Sequence, residues 1–174
     1  KKIIEWVRNR QQTSESKLGS EIRQFVTNTS DSSAGKPEAL FTFTFTSEVD
    51  QPHTDEIIND LTEGDYYEEV ISSFFRKIDN EILGLNDRRE MQDKHSRRFI
   101  FAGTECIALI HLLCRDDVMH FHVTFRSSNV VTTFCKDLQF ITYLAQETYQ
   151  RYSMFRSVHM IKFHVSMHSA HLAR

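Results

Sequence analysis

The strongest constraint on the fold is a strict alternation of residue types in ALFTFTFTSEV, residues 39–49. Phe41, Phe43 and Phe45 alternate there with Thr42, Thr44 and Thr46. Successive side chains of a strand point to opposite faces, and aromatic and β-branched residues favour strands. The pattern therefore predicts a β-strand with one apolar face, and such a face must be buried against another layer of the domain.

The remaining segments supply that layer and the rest of a sheet. Helices are predicted by apolar spacing in residues 1–10, in two pieces within residues 54–85, and in residues 137–152. Further strands are predicted in residues 97–103, in a hairpin at 106–127 and in residues 158–172, and residues 13–36 are predicted to be mostly loop. This order indicates one α+β domain over residues 1–174, with a mixed or antiparallel sheet and helices on one face. The other face of the sheet then needs a cover.

Composition narrows the classes of function. The formal net charge of −3 gives no general attraction to nucleic acid, so no nucleic-acid partner is expected. No apolar run approaches the roughly 20 residues that a membrane span requires. The three cysteines cannot all pair and lack zinc-site spacing, which favours a reduced, cytoplasmic protein.

Two arginine motifs are candidate anion sites. Arg97 and Arg98 end D-K-H-S-R-R at what is predicted to be the start of a strand, and Arg126 begins R-S-S-N at the end of another. A guanidinium fork matches phosphate geometry, and Ser127 adds a hydroxyl donor. The alternatives are a solvated basic turn for the first motif and an arginine capped by its own loop for the second.

Cys106 lies twenty residues before Arg126, at the mouth of the predicted hairpin. Positive charge nearby stabilises a thiolate, and Arg126 could supply that charge if the two strands bring it close. The alternative is a buried, unreactive cysteine of the kind most proteins contain.

Taken together and in order, these motifs resemble the thymidylate synthase superfamily. D-x-x-S-R-R, a cysteine, and R-S-x-N twenty residues later correspond to the family's phosphate arginines, nucleophile and Q-R-S-x-D segment. The segment DLQFITYLAQETY resembles the family's F-N-I-A-S-Y helix, and HSAHLAR resembles its terminal T-H-x-Y strand. Residues 93–140 carry most of the resemblance.

The resemblance implies a role for each matching residue. Cys106 would add to C6 of a pyrimidine, and Arg126 and Ser127 would hold the 5′-phosphate, with Asn129 in place of the family's aspartate. Arg97 and Arg98 would reach the same phosphate from the partner in a homodimer formed through the open sheet face. Three weaker matches are Lys17 for a phosphate-loop arginine, His171 for the histidine that binds the sugar, and Glu69 for a catalytic glutamate.

The implied reaction is transfer of a methyl or hydroxymethyl group to C5 of a pyrimidine nucleoside 5′-monophosphate, with 5,10-methylenetetrahydrofolate as the one-carbon donor. Asp137 lies eleven residues after Arg126, where uracil-using relatives carry asparagine and cytidylate hydroxymethylases carry aspartate. A carboxyl group suits the cytosine edge, so dCMP or CMP is favoured over dUMP. The alternative for Asp137 is a helix N-cap, and both roles are compatible.

Departures from the family pattern keep a second hypothesis open. Ile107 replaces a histidine after the nucleophile, and Ala173 replaces a tyrosine that shares the sugar hydroxyl. The second hypothesis is a nucleotide-binding or interaction protein that has lost turnover.

His120 and His122 share one face of a predicted strand and could chelate zinc. Without an evident carboxylate or cysteine partner, surface or packed histidines are favoured, and no metal site is predicted.

Overall fold

The computed structural model describes residues 38–49, 65–87, 94–103, 106–129 and 133–171. The predicted helix at residues 1–10, the loop at 13–36 with Lys17, and the first predicted helical piece near residues 54–61 lie outside these ranges.

The described strands form one six-stranded sheet in the order β1–β6–β4–β3–β2, with β5 also paired to β6. The strands are β1 (Glu38–Glu48), β2 (Ile100–Ala102), β3 (Ile107–Arg115), β4 (Val118–Phe125), β5 (Ser128–Asn129) and β6 (Met160–His171). β4 and β5 run parallel to β6, and every other pair is antiparallel. The sheet is therefore mixed, as the sequence predicted.

The β3–β4 hairpin closes through the two-residue turn Asp116–Asp117, where φ is 50° and 57°. Positive φ at both central residues is the geometry of a type I′ turn, whose twist matches that of the flanking strands. Along β4 the side chains are alternately buried and partly exposed, which confirms the strand predicted in the second half of the hairpin at 106–127.

Two described helices supply the second layer, α1 (Asp65–Asp87) and α2 (Phe134–Arg151). On α1 the predicted apolar face is confirmed, with Val70, Phe74 and Ile78 buried. The helix α2 begins at Phe134 with Thr133 as its N-cap residue, so the interpretation of Asp137 as an N-cap is wrong. The helix starts one turn earlier than predicted, and Asp137 lies within its first turn.

Aromatic contacts show that both helices cover the same sheet face. Phe74 of α1 lies against Phe121 of β4, and Phe134 of α2 lies against Phe43 of β1, with ring centroids 6.2 Å and 5.8 Å apart. Phe43 and Phe121 belong to the inward-facing sets of their strands. The predicted α+β class, with helices on one side of a mixed sheet, is confirmed.

The opposite side of the sheet has no helix over it within the described residues, and we call it the open face. Its central row consists of consecutive Cα partners in five strands, namely Thr44, His164, His122, His111 and Ile100. The three histidines are partly exposed, whereas Thr44 and Ile100 at the two edges are exposed. Neither described helix has the length and apolarity that crossing a membrane requires.

The segment before β2 differs from its prediction. Arg97 and Arg98 precede the strand, which begins at Ile100, and both side chains are exposed. The strand predicted at residues 97–103 is therefore shorter than expected, and the two arginines lie before it at the edge of the sheet.

Candidate functional site

Cys106 and Arg126 lie side by side at one end of the sheet. The backbone N–H of Arg126 donates to the carbonyl oxygen of Cys106 at 2.8 Å, directly beyond the Ile107–Phe125 pair of the hairpin. Pairing of the two hairpin strands thus brings together two residues that are twenty positions apart in the sequence. Both side chains are exposed, so a thiol and a guanidinium group are open to solvent on two residues whose backbones are hydrogen-bonded to each other.

The carboxyl group of Asp137 lies close to the same strand end. Ser128 Oγ donates to Asp137 Oδ2 at 2.8 Å, and the Tyr67 hydroxyl donates to Oδ1 at 3.2 Å. Ser128 is two residues beyond Arg126, in β5, so the segment that follows β4 carries both the arginine and a partner for this carboxyl group. Tyr67 comes from α1, seventy residues earlier in the chain.

Asp137 is only 4% exposed, and its ionisation is perturbed. Burial raises its pKa from the ordinary 3.8 to about 6, because a carboxylate loses its hydration when it leaves water. The hydrogen bonds from Ser128 and Tyr67 act in the opposite direction and only partly offset burial. A buried carboxyl group that titrates near neutral pH is typical of functional sites, although structural networks also produce such shifts.

The short strand β5 completes this end of the sheet. Asn129 of β5 is the Cα partner of His171 in β6, so the backbones of these two predicted site residues are neighbours. Ser127, half-buried, lies between Arg126 and β5. The structure therefore brings Cys106, Arg126, Ser127, Asn129 and Asp137 to one region of the sheet, together with the backbone of His171.

Other predicted site residues lie apart from this region. The carbonyl oxygen of Arg97 is 3.1 Å from His111 Nε2, which places the arginine pair beside the middle of β3 rather than at its start. Glu69 is exposed, and it lies two residues after Tyr67. Since two residues correspond to about 200° around a helix, Glu69 points away from the side of α1 that contacts Asp137.

A second cluster of chemically active side chains lies on the open face. His120, His122 and His164 offer ring nitrogens that all lie within 4.8 Å of one another. His120 Nδ1 is 3.0 Å from His164 Nε2, and the rings of His122 and His164 stack with centroids 4.3 Å apart. The sequence shows His120 and His122 as possible ligands on one strand. His164 joins them only through the parallel pairing of β4 with β6.

The three imidazoles share one electrostatic environment. Burial lowers the pKa of each below the ordinary 6.5, and neighbouring positive charge lowers it further. The charges are chiefly Lys162 beside His120, and the imidazoles themselves around His122 and His164. The neutral form of these rings is therefore favoured near pH 7.

The fold so described, a six-stranded mixed sheet with two helices on one side, is thymidylate synthase-like. A solved structure similar to it is the crystal structure of thymidylate synthase from T4 phage. The TM-score is 0.54 with 11% sequence identity, over 91% of this chain and 76% of that chain. No protein-family model matches the sequence, and no curated protein matches it. The likeness therefore establishes the fold, and any activity has to be argued from the site.

Proposed function

We propose that this chain binds a pyrimidine nucleoside 5′-monophosphate and catalyses transfer of a one-carbon unit to C5 of the base, through a bond between Cys106 and C6. The observation that supports the proposal is that an exposed thiol, an exposed arginine and a buried carboxyl group all lie at one end of the sheet. The arginine, the carboxyl group and the thiol correspond to the phosphate, the edge of the base and C6 of the substrate.

The phosphate is assigned to Arg126 and Ser127. A guanidinium fork makes paired, charge-assisted hydrogen bonds to phosphate oxygens, and an adjacent serine hydroxyl adds another donor. Because the thiol of Cys106 is on the residue beside Arg126, a nucleotide held by its phosphate remains close to the sulfur. Arg97 and Arg98 are assigned to the phosphate of a nucleotide bound in the partner subunit's site. Both are exposed, and they lie beside the middle of β3 rather than near Cys106.

The base is assigned to Asp137, and this favours cytosine. With a pKa of about 6, a fraction of the carboxyl groups is protonated near neutral pH. Further desolvation by a bound base would increase the protonated fraction. A protonated carboxyl group donates to N3 of cytosine while its other oxygen accepts from the 4-amino group. Ser128 and Tyr67 already contact this carboxyl group, and each oxygen keeps a second lone pair for the base.

The chemical step assigned to the chain is nucleophilic catalysis by Cys106. The thiolate forms a sulfur–C6 bond, and the electron pair of the C5–C6 double bond moves to C5, which attacks the one-carbon electrophile. Loss of the C5 proton would then expel the donor's nitrogen and leave a methylene group on C5. Addition of water, or of hydride from the donor, to that methylene returns an electron pair through C5, so that the C5–C6 double bond re-forms and the thiolate leaves. The expected donor, 5,10-methylenetetrahydrofolate, supplies the carbon unit, and no described residue is assigned to holding it.

Release of tritium from C5-labelled dCMP, CMP, dUMP and UMP, with and without 5,10-methylenetetrahydrofolate, tests the proposal. We expect label in water from a cytosine nucleotide, and none from Cys106→Ser. Arg126→Ala should raise KM roughly 10- to 100-fold, the cost of a charge-assisted hydrogen-bond pair. Arg156→Ala is the matched control, because Arg156 is equally exposed but lies just before β6, at the other end of the sheet.

One result would contradict transfer, and thermal unfolding would then identify the alternative. Wild-type protein that releases no label from any of the four nucleotides would exclude it. If the same nucleotides nevertheless raised the melting temperature of the wild type and not of Arg126→Ala, the chain would be a nucleotide-binding protein without turnover.

A further inference from the structure

We propose that the open face carries a binding site for a divalent transition metal, with zinc the best-fitting ion, formed by His120, His122 and His164. The site is separate from the residues assigned to the nucleotide, and the proposal does not depend on the activity proposed above.

Strand pairing makes the cluster. His120 and His122 are two residues apart on β4 and therefore point to the same side of the sheet. His164 is the Cα partner of His122 in the parallel β4–β6 pair, so it joins them on that side. All three side chains are thus positioned by regular strands in the interior of the sheet, which restricts their motion more than a loop would.

The distances are close to those of a zinc site. Zinc–nitrogen bonds of roughly 2.0–2.1 Å in a tetrahedron separate the ligand nitrogens by about 3.3 Å. His120 Nδ1 and His164 Nε2 are already 3.0 Å apart. The nitrogen of His122 also lies within 4.8 Å of the other two, but its ring is parallel to that of His164, with an interplanar angle of 6°, so the ring has to rotate to turn a nitrogen toward the same point.

The type of ligand favours the later divalent metals of the first transition row. Neutral imidazole binds zinc, copper and nickel, whereas magnesium and calcium prefer oxygen ligands. Three histidines leave at least one coordination position of zinc for water or another ligand. Lys162, the Cα partner of His120, opposes the site because its charge repels a cation.

Metal binding is tested with the full chain, free of any histidine tag, by calorimetric titration with ZnCl₂ and by absorption spectroscopy with CoCl₂. We expect one zinc ion per chain and a cobalt spectrum of tetrahedral nitrogen and oxygen ligation. Cys106→Ser should behave like the wild type, which excludes the exposed thiol as the ligand. His164→Asn should weaken binding by more than the roughly 10- to 100-fold that loss of an outer-shell partner costs.

The variants include their own controls. His168→Asn changes an exposed histidine further along β6 and should leave affinity within about threefold of the wild type, while Lys162→Gln should tighten binding. His120→Asn and His122→Asn repeat the test should His164→Asn fail to fold. Binding that is unchanged in all three ligand variants, or equally weakened by His168→Asn, would overturn the proposal, as would the absence of any zinc-dependent heat.

Discussion

At the scale of single residues, Asp137 is a carboxyl group whose burial conflicts with its charge. Below the ordinary pKa of 3.8 the carboxyl group is largely protonated in both the folded and the unfolded chain, so burying it carries no charge penalty. As pH rises toward the folded pKa of about 6, the unfolded chain ionises first, and stability falls. Above pH 6 the folded protein keeps a buried carboxylate at a cost of about 3 kcal/mol, an upper figure from a shift of about two units.

Replacing Asp137 with asparagine should therefore make the protein more stable at neutral pH. The amide can accept from Tyr67 and donate to Ser128, so both contacts survive without a charge. We expect the advantage of Asp137→Asn in the free energy of unfolding to grow by about 1–2 kcal/mol between pH 5 and pH 8. Urea unfolding at both values measures this, and an advantage that does not change with pH would show that the carboxyl group is not perturbed.

The sequence predicts part of this environment and misses the rest. The spacing of eleven residues from Arg126 was enough to single out Asp137 as a candidate. Its burial and its contact with Tyr67 could not be foreseen, because they depend on how α1 packs against α2 rather than on any local pattern.

At the scale of elements, the turn of the β3–β4 hairpin combines backbone strain with side-chain contacts. Asp116 and Asp117 both have positive φ, which costs L-residues other than glycine roughly 1–2 kcal/mol. The carboxylate of Asp117 compensates, because it accepts hydrogen bonds from Lys94 and from Ser157. The side chain of Asp116 is exposed and makes no such hydrogen bond to the part of the chain that the structure describes.

The two positions should therefore respond differently to glycine. Asp116→Gly should raise the free energy of unfolding by about 0.5–1 kcal/mol, because glycine adopts positive φ without strain. Asp117→Gly should gain less or lose stability, since it removes the acceptor for Lys94 and Ser157. Thermal unfolding of both variants at pH 7 makes the comparison, and equal shifts would contradict the role given to the Asp117 carboxylate.

Local alternation predicts the strands well, and strand pairing is the part that it leaves out. The period of two in β1 and β4, and the polar turn between β3 and β4, identified these elements from residue types alone. The parallel pairing of β4 with β6 joins segments separated by α2, and no local pattern specifies it. For that reason His164 could not be placed beside His120 and His122 from the sequence.

At the scale of the whole molecule, the open face is the surface that the proposed homodimer would use. Pairing two copies through it would cover the central histidine row and carry Arg97 and Arg98 toward the partner's site. Subunit mixing tests this directly, because each site would then take Cys106 and Arg126 from one chain and Arg97 and Arg98 from the other.

An inactive Cys106→Ser chain mixed with an inactive Arg97→Ala/Arg98→Ala chain should regain activity. Half of the randomly formed dimers would contain one chain of each kind. Each of these mixed dimers has one intact site out of two, so about a quarter of wild-type activity should return. Cys106→Ser mixed with Arg126→Ala, assayed well below KM, is the matched control and should show no activity beyond that of Arg126→Ala alone, since both residues belong to the same site in one chain. Rescue in the control, or none in the test, would argue against a shared site.

The place of β6 between β1 and β4 also has a consequence for how the protein is made. While the ribosome is still translating Met160–His171, β1 and β4 have no neighbour between them, and their unpaired edges are exposed. At roughly 5–20 residues per second, the nascent chain spends seconds in that state before the gap can close. A chaperone that shields exposed strand edges should therefore increase the yield of folded protein more than one acting after release.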